Sequence, residues 1–386
     1  MSRTPLALAL GAVLALAPAR LAAQNWDDDW DEDRGEPSHF AINLRIDRVG
    51  LSLGNSAVHT GLRLNWSDAG IERINGINVT IWKPGRPLTG TVNGLALGVL
   101  GPGAARINGI AIGLGGVVTR RLMRGIAIGG LGVVSNGDIR GIGVAGLGAV
   151  ANHDFRGLGI AGLGVVANGS FEGIGLAGLG VVANEDFSGF GLSGLGVVAN
   201  GSFSGFGLSG LGVVANHDLS GLSIAGLGVV ANGDMTGVSV SGLGTVANGD
   251  MTGVAIGGLG AVTNGYFTGL GIGGLGMVAN RGITGIAIGG IGVASDGVLR
   301  GGALAGYMVR VREVCGLSAA VLRVKTNTLR GVSIAGWNQV RRTQNGLTIG
   351  LLNYARELHG AQIGVLNIAG NNRGLARATP ILNYHQ

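Results

Sequence analysis

Gly189-Phe-Gly-Leu-Ser-Gly-Leu-Gly-Val-Val-Ala-Asn-Gly-Ser-Phe-Ser204 is one unit of a sixteen-residue repeat that decides the fold of this chain. Twelve such units follow one another without insertion or deletion over residues 109–300. A short fixed period indicates identical structural units that stack and bury apolar surface against their neighbours. The repeat therefore predicts an architecture much more directly than it predicts an activity.

The composition places the chain among folded repeat proteins. Glycine makes up 80 of the 386 residues and proline only 7. No Gly-X-Y triplet register accompanies this glycine content, which excludes the collagen class. With 46% hydrophobic and 12% charged residues, the chain has ample apolar material for a core. A disordered glycine-rich tract is therefore not expected.

Two short segments of each unit show the alternation of a β-strand. In the quoted unit, large and small residues alternate over residues 190–193 and again over residues 195–198. A helix is excluded because each of the several glycines in a unit would cost about 1 kcal/mol in a helix interior. The polar stretch Asn200-Gly-Ser202 supplies residues that tolerate a tight turn. The unit is therefore predicted to form a strand, a corner, a second strand and a turn.

One asparagine column favours a particular stacking of these strands. Its members recur every sixteen residues: Asn136, Asn152, Asn168, Asn184, Asn200, Asn216, Asn232, Asn248, Asn264 and Asn280. Tight hairpin turns would demand glycine at the next position, but that residue varies among Gly, His, Glu and Arg. An amide ladder between stacked coils needs only the asparagine. We therefore predict an all-β parallel β-solenoid of 16-residue coils, with an antiparallel β-meander or barrel as the alternative.

The bulky columns of this solenoid are expected to fill its interior. They are Ile174, Phe190, Phe206 and Leu222; Leu176, Leu192, Leu208 and Ile224; Leu179, Leu195, Leu211 and Leu227; and Phe171, Phe187, Phe203 and Leu219. Stacking of such columns would let stability accumulate coil by coil, because each buried large side chain contributes about 1.5 to 3 kcal/mol.

Small residues are expected to form the outer face. They are Gly175, Gly191, Gly207 and Ser223 with Ala177, Ser193, Ser209 and Ala225, bordered by Val182, Val198, Val214, Val230, Val246 and Val262. An extended apolar face rarely stays bare on a monomer. This face is therefore a candidate for self-association or for contact with a lipid layer.

The chain divides into five predicted segments. They are a signal peptide (1–23), an acidic linker (24–38), irregular N-terminal repeat coils (39–108), twelve regular repeats (109–300), and basic C-terminal repeat coils with a cap (301–386). Arg3, the apolar stretch 6–17 and the small residues before Gln24 are typical of a signal peptide, so we expect export. The densely charged linker is expected to stay solvated.

Charge is unevenly distributed along the repeat. Residues 141–299 carry eight acidic and two basic side chains, whereas residues 300–377 carry eleven basic and two acidic ones. The basic end is expected to attract polyanions, and for an exported protein these are lipid phosphates and anionic glycans, with nucleic acid disfavoured. The candidate contact residues are Arg310, Arg312, Arg323, Lys325, Arg341 and Arg342.

Residues that carry chemistry are scarce. The six histidines are scattered and offer no metal site, and the lone Cys315 cannot form an internal disulfide. No cofactor or catalytic group is predicted. Only Glu172, Glu185 and Asp186 come near the carboxylate cluster that a polysaccharide-processing β-helix enzyme would need, and that function is the less favoured alternative.

The C-terminal units add a family resemblance. Gly346-Leu-Thr-Ile-Gly-Leu-Leu-Asn-Tyr354 and Gly360-Ala-Gln-Ile-Gly-Val-Leu-Asn-Ile368 resemble the Gly-x-x-Ile-Gly-Leu-Leu-Asn units of bacterial surface-repeat proteins of the spirochaete type. That resemblance, which covers about the last 70 residues, implies an exported or outer-envelope protein. We therefore predict a non-enzymatic repeat scaffold that mediates interaction or adhesion in the bacterial cell envelope, outer membrane or cell surface. An outer-membrane β-barrel protein is the alternative.

Overall fold

A computed structural model of the chain describes residues 40–46 and 49–386. The predicted signal peptide and acidic linker lie outside the described residues. The described residues form almost only β-strands, with one four-residue 3-10 helix at Gly374–Arg377.

The N-terminal coils contain seven strands. They are β1 (Ala41–Ile46), β2 (Val49–Gly54), β3 (Val58–Asn65), β4 (Arg73–Thr80), β5 (Thr91–Gly98), β6 (Gly103–Gly113) and β7 (Gly116–Gly129). The C-terminal coils contain three: β29 (Met308–Thr326), β30 (Thr328–Ala369) and β31 (Ala378–His385).

In the regular array, long and short strands alternate along the chain. They are β8 (Gly132–Ser135), β9 (Asp138–Ala145), β10 (Gly148–Ala151), β11 (Phe155–Ala161), β12 (Gly164–Ala167), β13 (Phe171–Ala177), β14 (Gly180–Ala183), β15 (Phe187–Ser193), β16 (Gly196–Ala199), β17 (Phe203–Ser209), β18 (Gly212–Ala215), β19 (Leu219–Ala225), β20 (Gly228–Ala231), β21 (Met235–Ser241), β22 (Gly244–Ala247), β23 (Met251–Gly257), β24 (Gly260–Thr263), β25 (Tyr266–Gly273), β26 (Gly276–Ala279), β27 (Gly282–Gly289) and β28 (Gly292–Ala305).

Every coil of the array pairs in parallel with the next, in register. The long strands β15 and β17 align Phe187 with Phe203, and the short strands β16 and β18 align Val197 with Val213. The described chain is a parallel β-solenoid of about 18 turns, which confirms the predicted fold. The antiparallel alternatives are wrong for the array because its strand pairs run parallel.

The glycine that opens each unit is required by the backbone. Gly189 has φ +132°, a region that residues with a side chain rarely adopt, and the same holds for its counterparts from Gly61 to Gly360. A Cβ at Gly189 would also overlap the carbonyl oxygen of Gly173 in the preceding coil. This column therefore sets the close approach between coils, even where the period shortens to 15 or 14 residues.

The interior between the two parallel sheets holds one large side chain per coil. In the coil that starts with Phe187, the other inward positions are Gly191, Ser193, Val197 and Ala199, all buried. Along the axis, the buried rings of Phe155, Phe171, Phe187 and Phe203 stack with centroids 4.9 to 5.1 Å apart. The core is therefore a thin aromatic and aliphatic column lined by small residues.

This arrangement corrects the predicted orientation of the strands. Of the four bulky columns expected inside, only the one with Phe171, Phe187, Phe203 and Leu219 is buried. The other three face outward, as shown by Ile174 (44% exposed), Leu192 (37%) and Leu195 (47%). Side chains alternate between the two faces of a strand, so buried Phe187 implies that Gly191 and Ser193 also point inward. The prediction placed the bulky residues 190 and 192 inside instead, which reverses the two faces.

The predicted outer face of small residues is therefore largely an inner face. Gly191, Ser193 and their equivalents lie against the aromatic column and cannot serve as a surface for self-association. Of that predicted face, the valine column that contains Val182 does point outward and is half-buried.

Both ends of the solenoid are closed by a reversal of strand direction. β1 pairs antiparallel with β2, and β31 pairs antiparallel with β30. The first and last coils also have polar interiors: Arg63 is fully buried and bonded to Asp68 at 2.8 Å, and Asn338 donates to Asn353 at 2.8 Å. Most of these polar groups bond to one another where the apolar column ends, although Arg63 Nε is buried without a hydrogen-bond partner.

Candidate functional site

The outer surface of the array has an apolar corner. We use the term leucine ridge for the column at the bend between the long and the short strands: Leu131, Leu147, Leu163, Leu179, Leu195, Leu211, Leu227, Leu243, Leu259, Leu275 and Ile291. Apart from half-buried Leu227, these residues are 41 to 60% exposed. Backbone hydrogen bonds from coil to coil, such as Leu195 N to Leu179 O at 2.8 Å, hold the ridge straight.

Both surfaces that meet at the ridge are apolar. On the long strands, the outward columns nearest the ridge are those of Phe190 and Leu192, and the rings of Phe190 and Phe206 stack at 4.8 Å. The outward column farther from the ridge contains Ser188 and includes the exposed Arg156 and Glu172. On the short strands, the outward column is that of Val198. The ridge is thus the apex of an apolar wedge rather than an isolated stripe.

The opposite corner carries the asparagine ladder. Nine of the ten predicted asparagines, from Asn152 to Asn280, donate a side-chain N–H to the side-chain oxygen of the preceding one at 2.8 to 3.4 Å, and Asn136 accepts the first of these bonds. Nine consecutive bonds between exposed or half-buried residues tie the turns together. The ladder is a structural element, because its donors and acceptors are used within the column.

Aspartates beside the ladder brace the same turns. Asp186 accepts the backbone N–H of Ser202 at 2.7 Å, and Asp234 accepts that of Asp250 at 2.7 Å. These carboxylates thus bond to the following coil instead of converging on a common point. Among the described residues, no group of three or more His, Cys, Asp or Glu side chains could hold a metal ion.

The carboxylates of the enzyme alternative are also engaged separately. Glu172 lies 3.4 Å from the Arg156 guanidinium, and Glu185 accepts from Ser170 at 3.1 Å. Asp186 is held by the backbone bond just described. These three carboxylates are therefore held by different partners, and Glu172 shares the Arg156 guanidinium with Asp154, which lies 3.2 Å from it.

The C-terminal coils bring four of the predicted basic residues together. We call Arg310, Arg323, Lys325 and Arg341 the basic cluster. Repulsion from Arg341 is the main cause that lowers the pKa of Lys325, followed by desolvation and by repulsion from Arg323 and Arg310. No carboxylate of the described residues lies within 4.0 Å of any of the four, so the cluster carries uncompensated positive charge.

Two neighbours orient the cluster. The Arg323 guanidinium lies 3.9 Å from the centre of the Trp337 ring, and it donates to the side-chain oxygen of Gln339. The register pairs Arg323 with Trp337 and Lys325 with Gln339. Trp337 and Gln339 were not predicted as site residues from the sequence; the fifteen- and fourteen-residue spacing of the C-terminal units was the signal that could have placed them beside the cations.

The remaining two predicted basic residues form a separate column. Asn327 N donates to Arg312 O, and Arg342 N donates to Asn327 O, both at 2.9 Å. Arg312 and Arg342 are exposed and lie two coils apart at the next turn. They extend the positive surface but do not contribute to the lowered pKa of Lys325.

An open apolar groove of about 610 Å³ lies in the same coils. Its lining includes Val321, Ile334, Ile349, Leu351 and Val365. Val321, Leu351 and Val365 are 66 to 77% exposed, more than any member of the leucine ridge. The C-terminal coils therefore present exposed apolar side chains as well as the basic cluster.

Among the described residues, no helix has the length and apolar character to cross a membrane. Comparisons with protein-family models, with curated proteins and with solved structures find no match to this chain.

Proposed function

We propose that the chain is an exported, non-enzymatic repeat scaffold of the bacterial cell envelope or surface that mediates interaction by holding anionic groups of the envelope at its basic cluster. The supporting observation is the accumulation of positive charge at Arg310, Arg323, Lys325 and Arg341 without a carboxylate partner. An anion bound there would relieve the repulsion that lowers the pKa of Lys325.

The rest of the solenoid fits the role of a scaffold. Roughly 18 coils at about 4.8 Å give a body on the order of 85 Å long. Its surface side chains repeat as columns, and the candidate catalytic carboxylates are bonded to different partners. A long, regular body with one charged end suits attachment and spacing better than it suits catalysis.

Two measurements test this proposal. Fractionation of a tagged chain in a Gram-negative host should recover it in the envelope fraction with its N-terminal segment removed, as read by mass spectrometry. On a heparin column, a variant with Arg310, Arg323, Lys325 and Arg341 changed to Gln should elute at a clearly lower salt concentration.

The control variant removes the same charge elsewhere. Arg120, Arg121, Arg124 and Arg281 are exposed and lie outside the basic cluster, and their change to Gln should lower the eluting salt concentration much less. Recovery of the chain in the cytosol, or equal elution of the two variants, would contradict the proposed function.

A further inference from the structure

We propose that the leucine ridge and the two apolar surfaces beside it are immersed in one leaflet of a lipid bilayer, with the solenoid axis parallel to the membrane plane. The proposal rests on the proposed envelope function and names its partner as a lipid surface. The Asn and Asp corner would then face water.

The apolar surface along the ridge is long and uncharged. The ridge and its flanking outward columns contain no charged residue between Gly125 and Ala294. Eleven ridge residues spaced by about 4.8 Å extend over roughly 48 Å. A monomeric soluble protein rarely leaves an apolar region of this extent without a partner.

The shape of the apolar surface favours lipid over a second copy of the chain. A flat sheet could be covered by a second flat sheet, but here the most regularly exposed apolar column is the apex between two surfaces. A second solenoid laid on the Phe190 and Leu192 columns would leave the Val198 column and much of the ridge in water. Fluid acyl chains conform to all three at once, which a rigid sheet does not.

The placement of charge around the coil also favours a lipid leaflet. The acidic turn residues, including Asp186, Asp218 and Asp234, lie at the corner opposite the ridge. An anionic leaflet would therefore meet the apolar wedge and not these carboxylates. At the C-terminal end, the basic cluster lies beside the continuation of the ridge, where lipid phosphates would be within reach.

Aromatic residues accompany the two ends of the ridge. Towards the C-terminus, Tyr307 and Leu322 continue the column through backbone bonds to Ile291 O and Tyr307 O, and Trp337 lies opposite Arg323, one position beyond the corner. At the N-terminal coils, exposed Trp66 and Trp82 occupy this corner and stack at 5.9 Å. Trp and Tyr prefer the boundary between acyl chains and head groups.

The dimensions favour an orientation in the membrane plane. The ridge is longer than the roughly 30 Å hydrocarbon core of a bilayer, so it cannot be accommodated along the membrane normal. Amphipathic surfaces that lie in the plane penetrate by about 5 to 10 Å, a depth that a corner with two apolar flanks can fill.

Vesicle flotation of the full chain tests the inference. The probes are vesicles of phosphatidylcholine alone and of phosphatidylcholine mixed with phosphatidylglycerol. We expect the protein to float with both, and more with the anionic mixture. The variant L179N/L195N/L211N should bind roughly tenfold more weakly, because three adjacent ridge side chains lose their apolar contact.

The matched control places three asparagines on adjacent coils outside the apolar wedge. Thr236, Thr252 and Thr268 are exposed, and T236N/T252N/T268N should float like the unaltered chain. A second ridge variant, L131N/L259N/L275N, changes ridge residues in other coils and should also bind the vesicles more weakly. Circular dichroism checks that each variant retains its strands.

Three outcomes would overturn the inference. The unaltered chain could fail to float with either vesicle, a folded ridge variant could bind as well as the control, or light scattering could show a dimer that the ridge variants abolish. If the chain is found in the envelope and fails to bind vesicles, this inference fails while the proposed function stands. If the chain stays in the cytosol, that result contradicts the proposed function, on which this inference rests.

Discussion

Phe187 and Gly191 are matched in size inside the solenoid. Both residues occupy inward positions of the same strand. A Cβ added at Gly191 would lie 3.1 Å from Phe187 Cζ and 2.8 Å from Val197 Cγ1. The same relation recurs in most coils of the array, with Ile139 and Gly143 as an exception. Inward Phe at 155, 171, 187, 203 and 267 has Gly four residues later, whereas Leu219, Met235 and Met251 have Ser or Ala.

The size matching predicts that Gly191→Ala destabilises the protein. Because the ring and the valine leave no space for a methyl group, we expect a loss of about 1 to 3 kcal/mol, as for other overpacked cores. The double variant Phe187→Leu with Gly191→Ala reproduces the Leu219-type pairing and should recover part of that loss. Guanidinium unfolding followed by circular dichroism measures both.

The control for this prediction uses a coil with the opposite pairing. Ala255 is buried in the Met251 coil, where a methyl group is already accommodated. The Ala255→Gly variant should be no more stable than the unaltered chain. If Gly191→Ala unfolds at the same denaturant concentration as the unaltered chain, the size-matching account is wrong.

Substitution of the opening glycine of a unit should destabilise the fold far more than substitution of another glycine of the same unit. Gly189→Ala combines the strained φ of +132° with overlap of the Gly173 carbonyl oxygen, and we expect a loss above 3 kcal/mol or failure to fold. At Gly196, a Cβ would lie 3.5 Å from the nearest atom, the Gly212 oxygen. Gly196→Ala should therefore change the thermal midpoint little.

Equal thermal midpoints for Gly189→Ala and Gly196→Ala would contradict this explanation of the repeat. The comparison is well controlled because both changes add one methyl group to one coil and neither alters charge.

The period and the polar ladder were predictable from sequence, but the orientation of the strands was not. Asn200 recurs at one position whatever follows it, so stacking could be inferred from the column itself. Phe190 and Leu192 are larger than Gly191 and Ser193, and hydrophobicity alone places the larger pair inside. The interior in fact has room for one large residue per coil, already supplied by Phe187. That limit depends on the distance between two sheets, which no single unit reveals.

The basic cluster was predictable only in part. The six candidate cations were evident in the sequence, but their division into the basic cluster around Lys325 and a separate pair at Arg312 and Arg342 depends on the shortened coils. Those coils shift the register relative to a strict sixteen-residue period. The sequence therefore indicated the charged end, and the structure supplied the neighbours.

Each asparagine of the ladder should contribute to the stability of the fold in proportion to the number of ladder hydrogen bonds that it makes. Asn200 donates to Asn184 and accepts from Asn216, both at 2.9 Å, so Asn200→Ala removes two bonds. We expect a loss of about 1 to 2 kcal/mol. Asn136 accepts a single ladder bond of 3.4 Å, and Asn136→Ala should cost less. Equal thermal midpoints for the two variants would show that the ladder is not a source of stability.

The lowered pKa of Lys325 predicts how the basic cluster responds to loss of a charge. Repulsion from Arg341 is the main cause, so Arg341→Gln should raise that pKa towards 10.5, and added salt should have the same effect in the unaltered chain. Since the folded state holds the Lys325 proton more weakly than the unfolded state, the cluster disfavours folding below the lowered pKa. This penalty disappears as the pH rises towards 10.5. Titration of the lysine side chain by NMR measures the shift, with Arg120→Gln as the distant control. An unchanged Lys325 pKa in Arg341→Gln would mean that these cations are not coupled in solution, and the site proposed for envelope anions would lose its physical basis.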